Sequence, residues 1–298
     1  VIPAISTTVK RMTNTGDNIV IPTPVYDMFF HSVENHGRHV LECPLQCNDQ
    51  EYTMDFEDLE KKLSDPLTTL MILCNPHNPV GKVWTGEELQ KIGSLCKKHH
   101  VVVLSDEIHC DLTLNQAEYV PFAAASAECA QNSITCIAAS KAFNLAGFQS
   151  AAVYIPNEGI RAVMDRGLNS DEVAEPNCFA IESTVAALTK GGEWLDQLNV
   201  YLAKNKQYVA EFLAENLSEL KLTKSGATYL LWVDVSALTK DAQELCDFIR
   251  KETGLYITAG GQYRGNGASY VRINIACPLA VVKDGMERLQ KGVHAFKA

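Results

Sequence analysis

The sequence predicts an α/β fold: a mostly parallel sheet covered by helices on both faces, followed by a smaller α+β C-terminal domain. Two apolar runs, at residues 69–74 and 101–104, have the character of buried strands, and a third run at 134–139 is strand-like. The segments between them are long enough for the crossovers that parallel strands require. Beyond about residue 157 the pattern becomes mostly helical, and we place the domain boundary near residue 190, giving domains 1–190 and 191–298.

The first half of the chain alternates helices and strands. The predicted elements are a helix to about Thr13, strands at 17–22 and near Val40, a helix at 55–63, the buried strand at 69–74 and a helix to His99. Pro3 suits the first turn of the first helix. Thr85 and Glu88 have the spacing of a capping box, which marks the start of the helix that ends at His99. This alternation is typical of parallel sheets.

In the second half of the chain, helices and strands do not alternate regularly. The predicted elements are helices at 158–166, 177–189 and 193–217, strands at 228–235 and 269–275, and helices that begin at Asp241 and Val281. Gly191 and Gly192 separate the helical stretch into two parts. A site between two such domains can close over its ligand.

Each of the three apolar runs leads into a turn with a polar or charged side chain. The first leads to Asn78, the second to Asp106 and His109, and the third to Lys141. Open α/β sheets bind ligands at the carboxyl ends of their strands. A lysine amine shielded from water there can become nucleophilic enough to bond an aldehyde. Taken singly, Lys141 also fits a solvated surface lysine, and His109 fits a buried core histidine.

Two further residues are candidates for ligand contacts. Tyr26 follows the strand at 17–22 and is predicted to begin a helix, where its ring could lie on a flat heteroaromatic group or pack in the core. Arg272 alternates with apolar neighbours in the strand at 269–275, so it either reaches solvent or pairs with an anion. Its guanidinium fork matches a carboxylate. The segment 260–265 receives no role from the sequence.

Composition excludes several classes of partner. The net charge is −10 and no basic run stands out, so we predict binding to neither nucleic acid nor an anionic membrane. No apolar stretch reaches the roughly 18 residues of a transmembrane helix. The ten cysteines form no regular framework and indicate reduced thiols in a cytoplasmic protein. Cys43 and Cys47 have no second pair at metal-binding spacing, so no metal site is predicted.

These motifs together resemble the fold-type I pyridoxal phosphate enzymes, the class I/II aminotransferase superfamily. The residues at 106–109, at 140–144 with Gln149, and at 272–278 are similar to the motifs of its MalY/PatB-type cystathionine β-lyase branch. The resemblance covers essentially the whole chain. It implies a seven-stranded-type sheet in a cofactor-binding large domain, pyridoxal 5′-phosphate as cofactor, a homodimer, and a further segment before Val1.

The resemblance also implies a role for each candidate residue. Lys141 would hold the cofactor aldehyde and act as the base at Cα of an amino acid. Asp106 would pair with the pyridine nitrogen, with His109 in support, while Asn78 would bind the ring 3′-oxygen and Tyr26 would lie on the ring face. Ser140 and the backbone amides of Val1 and Ile2 would bind the phosphate. Arg272 would bind the substrate α-carboxylate. The first helix could equally be an ordinary helix start. Gln149 stands where many relatives have a phosphate-binding arginine, so the phosphate charge must be met elsewhere.

The function implied is a pyridoxal phosphate-dependent carbon–sulfur β-lyase that cleaves cystathionine or cysteine conjugates to a thiol, pyruvate and ammonia. An aminotransferase is the alternative, because the catalytic residues do not decide between loss of a thiolate and transamination. A third reading is a ligand-sensing regulatory module that retains the fold and the cofactor.

Overall fold

The computed structural model describes residues 1–114 and 117–297. Its strands form a six-stranded sheet, a four-stranded sheet and a two-stranded hairpin. The strands are β1 (Asn18–Thr23), β2 (His39–Pro44), β3 (Gln46–Asn48), β4 (Glu51–Thr53), β5 (Thr68–Cys74), β6 (Val102–Asp106), β7 (Ser133–Ile137), β8 (Ala152–Tyr154), β9 (Lys221–Leu222), β10 (Leu230–Asp234), β11 (Thr258–Ala259) and β12 (Tyr270–Asn274).

Helices surround both larger sheets. They are α1 (Ile2–Met12), α2 (Met28–Glu34), α3 (Phe56–Leu63), α4 (Gly86–Lys98), α5 (Phe122–Ala125), α6 (Ala127–Gln131), α7 (Glu158–Ser170), α8 (Ala180–Lys190), α9 (Gly192–Asn216), α10 (Ala242–Thr253) and α11 (Leu279–Lys297). The capping box predicted at Thr85 is present: its side chain accepts from the Glu88 amide, and the Glu88 carboxylate accepts from the Thr85 amide. Within the described ranges, no helix is long and apolar enough to cross a membrane.

The main sheet has the strand order β2-β1-β5-β6-β7-β8. The first five strands are parallel, and β8 runs antiparallel to β7. The α/β class and the mostly parallel sheet are therefore as predicted. The sheet has six strands in the part of the chain that the structure describes, one fewer than expected, because the number seven came from the resemblance and not from strand-like runs in this sequence.

The central strands are buried on both faces. Leu70 and Ile72 of β5 belong to a core that contains Ile5 of α1, while Met71 and Leu73 belong to another that contains Ile92 of α4. Successive side chains of a strand point to opposite faces, so this alternation places α1 and α4 on opposite sides of the sheet. The continuous apolar run at 69–74 follows from that double burial.

The second sheet is antiparallel, with the order β11-β12-β10-β9. Its own core includes Val209 of α9, Leu245 of α10 and Leu289 of α11. Trp232 of β10 and Tyr270 of β12 instead pack into the core of the first sheet that contains Ile92. The carboxyl end of the first sheet and the two middle strands of the second therefore meet, and this junction contains the candidate site.

Most predicted boundaries differ from the observed ones by a few residues, and one difference affects the site. The sequence predicts that Tyr26 begins a helix, whereas α2 begins at Met28 with Asp27 as its N-cap. Tyr26 lies in the preceding turn, where the Phe29 amide donates to its carbonyl oxygen at 3.2 Å. Because the helix starts later, the Tyr26 ring remains free to face the cavity.

Candidate active site

One cavity of about 850 Å³ brings all the predicted site residues together. It is lined by Val1, Ile2, Tyr26, Asn78, Asp106, His109, Ser140, Lys141 and Arg272, with other residues described below. These residues come from widely separated segments of the chain. The structure settles where they lie, and their chemical roles remain predictions.

The parallel strands explain why three of these residues meet. Asn78 follows the end of β5, Asp106 is the last residue of β6, and Lys141 lies four residues beyond β7. Neighbouring parallel strands end at the same edge of a sheet. The pairing continues past β5, because the Asn75 amide donates to the Asp106 carbonyl oxygen at 2.9 Å. This bond fixes the Asn78 turn relative to Asp106.

Asp106 is a buried carboxylate, with 4% of its surface exposed. The Ile108 amide donates to its Oδ1 at 3.2 Å, and no ion pair to Asp106 is found among the described residues. Burial raises the pKa of Asp106 from 3.8 to about 6. A carboxylate in such surroundings is stabilised by a cationic partner, which the cavity leaves room for.

Lys141 lies in a tight turn after β7. The Phe143 amide donates to the Ala139 carbonyl oxygen at 2.9 Å, and the Leu145 amide to that of Ser140 at 3.0 Å. The Phe143 ring stacks on Trp194 of α9, with ring centroids 5.6 Å apart. The turn therefore holds Lys141 at the cavity wall through its own backbone and through one aromatic contact.

His109 lies in the cavity wall, and its role in support of Asp106 stays a prediction. The described residues contain no hydrogen bond between the two side chains, and His109 Nδ1 has no partner there. Its ring packs against Tyr229, with centroids 6.1 Å apart and planes at 75°. Burial, with the positive charges of Lys141 and Arg272, lowers the pKa of His109 to about 3, so it is neutral at pH 7.

Arg272 is oriented by a neutral partner. Its Nη1 donates to Asn78 Oδ1 at 3.3 Å, and its guanidinium lies over the Tyr263 ring at 4.9 Å from the centroid. No carboxylate pairs with Arg272 in residues 1–114 and 117–297. A half-buried guanidinium without a counter-ion is suited to binding an anion. Because Asn78 Oδ1 accepts from Arg272, the Nδ2 amide group of Asn78 is available to donate a hydrogen bond to a ligand.

The N-terminus of α1 faces the same cavity. Val1 is its N-cap and lacks a side-chain capping bond, and the first helical hydrogen bond is donated by the Ile5 amide to the Val1 carbonyl oxygen at 3.1 Å. The amides of the first turn are therefore free to bind an anion. Gln149, which stands where the resemblance implies a phosphate-binding arginine in many relatives, also lines the cavity.

The residues of the cavity fit pyridoxal phosphate. A buried carboxylate without a cation would pair with a protonated pyridine nitrogen, and Lys141 would bond the aldehyde. The free amides of α1 are polar groups that such a ligand could reach, whereas the unpartnered His109 Nδ1 is buried in the wall. The described residues contain no group of three or more His, Cys, Asp or Glu side chains able to hold a metal ion.

Sequence reasoning missed other residues of the site. Tyr229 lines the cavity because the Thr228 amide donates to the Leu112 carbonyl oxygen at 2.7 Å, which brings the start of β10 to the segment after His109. Glu175 also lines the cavity. Both depend on contacts between distant segments. A tyrosine next to a predicted strand was visible in the sequence, but nothing marked it as facing a ligand.

Glu107 is a further residue that sequence reasoning missed, and it does not line the cavity itself. Its buried carboxylate accepts from Ser105 Oγ at 2.7 Å, from the Phe122 amide at 2.9 Å and from the Tyr119 hydroxyl. Burial raises its pKa, and the hydrogen bonds oppose that shift. Glu107 thus ties the end of β6 to the segment at 119–122.

Comparison with known proteins gives consistent matches. The family model "Aminotransferase class I and II" matches residues 3–289. Cystathionine beta-lyase PatB of Bacillus subtilis is 43% identical over 290 residues, which are 97% of this chain and 75% of PatB. Protein MalY of Escherichia coli is 31% identical over 298 residues, which are 100% of this chain and 76% of MalY.

A solved structure agrees with both sequence matches. The crystal structure of cystalysin from Treponema denticola, which contains a pyridoxal 5′-phosphate cofactor, has a TM-score of 0.96 and 33% identity. The match covers 99% of this chain and 75% of cystalysin. The chain therefore spans about three quarters of the length of the proteins it matches.

Proposed function

The chain belongs to the class I and II aminotransferase family, and on that premise we propose that it is a pyridoxal phosphate-dependent carbon–sulfur β-lyase. The observation that carries this proposal is the meeting in one cavity of Lys141, Asp106 and Arg272, the last two without an ion-pair partner among the described residues. The choice of a lyase within the family is supported by the relatives, because PatB, at 43% identity, is named a cystathionine beta-lyase.

Each residue of the chain would have a defined task. Lys141 holds the cofactor aldehyde, Asp106 holds the ring nitrogen in its protonated form, and Asn78 Nδ2 donates to the ring oxygen. Tyr26 covers the ring face, while Ser140 and the amides of Val1 and Ile2 contact the phosphate. When bound, pyridoxal phosphate supplies an aldehyde that captures amines and a ring that withdraws electrons from Cα.

The substrate would be an L-amino acid with a sulfur leaving group at Cβ. Arg272 binds its α-carboxylate, which directs the Cα proton towards Lys141, and the Lys141 amine removes that proton. Loss of the thiolate from Cβ and addition of water then give pyruvate and ammonia. For L-cystathionine the thiol is homocysteine, so one water and one cystathionine yield one molecule of each product.

Neutral His109 fits a positioning task in this scheme. Because burial and the charges of Lys141 and Arg272 keep His109 neutral at pH 7, it adds no third positive charge to the wall, and its ring packs against Tyr229. Its Nδ1 is buried and has no hydrogen-bond partner among the described residues.

The aminotransferase alternative rests on the same residues and on the description of the family model. That reaction would use Lys141 for the same proton removal, and it would need a keto acid for turnover. The two reactions therefore differ in products and not in the residues used.

The test uses the protein with pyridoxal phosphate and L-cystathionine. We expect pyruvate, ammonia and free thiol in equal amounts without added keto acid, and no turnover with Lys141→Ala. Turnover that stops after one equivalent and resumes with a keto acid would support the aminotransferase. Absence of both reactions in a protein that still takes up the cofactor would favour a sensing module.

We further propose that the protein is a homodimer. Large apolar side chains are exposed on α8 and at the start of α9, among them Phe179 at 66%, Leu188 at 60% and Trp194 at 50%. Several large apolar side chains exposed on neighbouring helices are often covered by a partner. Because Trp194 stacks on Phe143, the surface adjoins the Lys141 turn. Sedimentation of Leu188→Glu should show a shift towards monomer.

The domain division and the location of the protein are also proposals. A boundary near residue 190 is supported by the separate core of the second part, to which Val209 and Leu289 belong. The first part of α9 still packs on the first domain, because Leu202 shares a core with Leu112, and α9 joins the second core at Val209. A cytoplasmic location is supported by the ten cysteines, all of which are free thiols in the structure.

A further inference from the structure

The segment 260–267, which joins β11 to β12, lies directly behind Arg272. We call it the 260–267 loop. It folds back so closely that a Cβ atom at Gly260 would collide with the carbonyl oxygen of Gly267, and one at Gly267 with that of Gly260. Only glycine allows the two ends of the loop to touch in this way. The loop is thus built with a fixed shape beside the cavity.

Tyr263 is the residue of this loop that reaches Arg272. It is fully buried, and its ring centroid lies 4.9 Å from the guanidinium carbon. The edge of the ring is held by Trp232, whose centroid is 5.5 Å away with the planes at 86°. Trp232 is also the partner of Arg272 in the pairing of β10 with β12. Tyr263 and Trp232 therefore support the guanidinium from one side.

Arg264 fastens the loop to the first sheet. Its Nη2 lies 2.6 Å from Glu34 and its Nη1 lies 3.9 Å from Glu42, and its guanidinium carbon lies 4.1 Å from the Phe30 ring centroid. Its φ of +57° is in a region that residues other than glycine rarely adopt. Such strain persists only where surrounding contacts impose it.

The loop also contacts the segment that carries Tyr26. The Val25 amide donates to the Tyr263 carbonyl oxygen at 3.0 Å, and a Cβ atom at Gly265 would lie 2.8 Å from the backbone nitrogen of Pro24. The loop thus connects the side of the cavity where the cofactor ring would lie with the side where Arg272 lies.

We propose that Tyr263 is a positioning residue that fixes the guanidinium plane of Arg272 so that its free edge faces the substrate α-carboxylate. The inference rests on the proposed function and assigns the 260–267 loop to substrate recognition. Asn78 restrains one nitrogen of the fork, and the Tyr263 ring restrains its plane. A flexible arginine loses conformational entropy when it binds an anion, and a pre-oriented one loses less.

The experiment measures carboxylate recognition apart from turnover. The cofactor-loaded protein is titrated by NMR with 3-(methylthio)propionate, which has a carboxylate but no amine, and with the uncharged 3-(methylthio)propan-1-ol. We expect wild-type protein to prefer the carboxylate, and Tyr263→Leu to weaken carboxylate binding about 5- to 10-fold, the size of a partly desolvated cation–π contact. Alcohol binding should not change.

Two further variants sharpen the result. Tyr263→Phe keeps the aromatic face and removes a hydroxyl that has no partner among the described residues, so it should restore carboxylate binding to within about two-fold of wild type. Arg264→Gly releases the backbone strain and the link to Glu34 while leaving Tyr263 in place. Like Tyr263→Leu, it should weaken carboxylate binding, but only by about two-fold.

The kinetic signature should match the binding. We expect Tyr263→Leu to raise KM for L-cystathionine with little change in kcat, since the contact orients substrate and takes no part in proton transfer. A folded Tyr263→Leu protein with the wild-type carboxylate preference would overturn the proposal. If that variant does not fold, an unchanged preference in Arg264→Gly would overturn it.

The assays distinguish failure of the proposed function from failure of the role of Tyr263. A wild-type protein that forms no pyruvate, ammonia and thiol from cystathionine, yet prefers the carboxylate ligand, would contradict the lyase and leave the role of Tyr263 standing. A wild-type protein with no preference for the carboxylate would overturn the roles of Arg272 and Tyr263 together.

Discussion

Replacing Asp106 by asparagine tests whether this buried carboxylate destabilises the cofactor-free protein and stabilises it when a cationic ligand is bound. In the cofactor-free protein, burial raises the pKa of Asp106 from 3.8 to about 6. The folded protein therefore keeps a proton that the unfolded chain has already released at intermediate pH. Stability falls as the pH rises through the window from about 4 to about 6, and the whole penalty is present above it.

The size of the penalty follows from the two pKa values. At about 1.36 kcal/mol per pKa unit, ionised Asp106 costs the folded state about 3 kcal/mol at pH 8 and about 1 kcal/mol at pH 4.5. An asparagine side chain at this position would be neutral at both pH values and could still accept the hydrogen bond from the Ile108 amide. We expect Asp106→Asn to raise the free energy of unfolding by these amounts.

The assay is urea unfolding of the cofactor-free protein at pH 8 and pH 4.5, followed by circular dichroism. Asp165→Asn is the matched control, because Asp165 is exposed on α7 and the same chemical change there should have little effect. With saturating pyridoxal phosphate the order should reverse, since only the carboxylate can pair with a protonated ring nitrogen. A gain in stability that is absent, or equal at the two pH values, would refute this account of Asp106.

Three other variants test separate parts of the structure. Arg272→Lys keeps the charge but loses the fork, so KM for cystathionine should rise about 10-fold or more, and an unchanged KM in steady-state kinetics would contradict the assignment. Tyr119→Phe removes a donor to buried Glu107 and should lower the free energy of unfolding by about 1.5–3 kcal/mol in urea, whereas a loss below about 0.5 kcal/mol would show that the bond is unimportant. Thr85→Ala should cost about 1 kcal/mol in the same assay because it removes the N-cap of α4, and Thr85→Ser, which retains the hydroxyl, should cost far less.

The parts of the fold that could be predicted are those set by local pattern. The run at 69–74 is recognisable as a buried strand because both its faces are apolar, and β5 has that environment. The capping box at Thr85 is recognisable from two residues three positions apart. In both cases the signal and the structure it determines lie within a few residues of each other.

The features that the sequence left open depend on the relation between segments. The direction of β8 is not visible in its own sequence, because a short strand pairs either way according to how the chain returns to the sheet. The lack of a hydrogen bond between His109 and Asp106 within the described ranges likewise reflects the orientation of two side chains in the folded wall.

The sequence by itself determined that Asn78, Asp106 and Lys141 share one edge of the sheet, because parallel strands end together and each residue follows its own strand. Only the tertiary structure decided that Tyr229 lines the cavity and that Tyr263 lies under Arg272. Those contacts join elements of the two sheets, and the packing that brings them together involves residues too far apart in the chain for any local periodicity to record it.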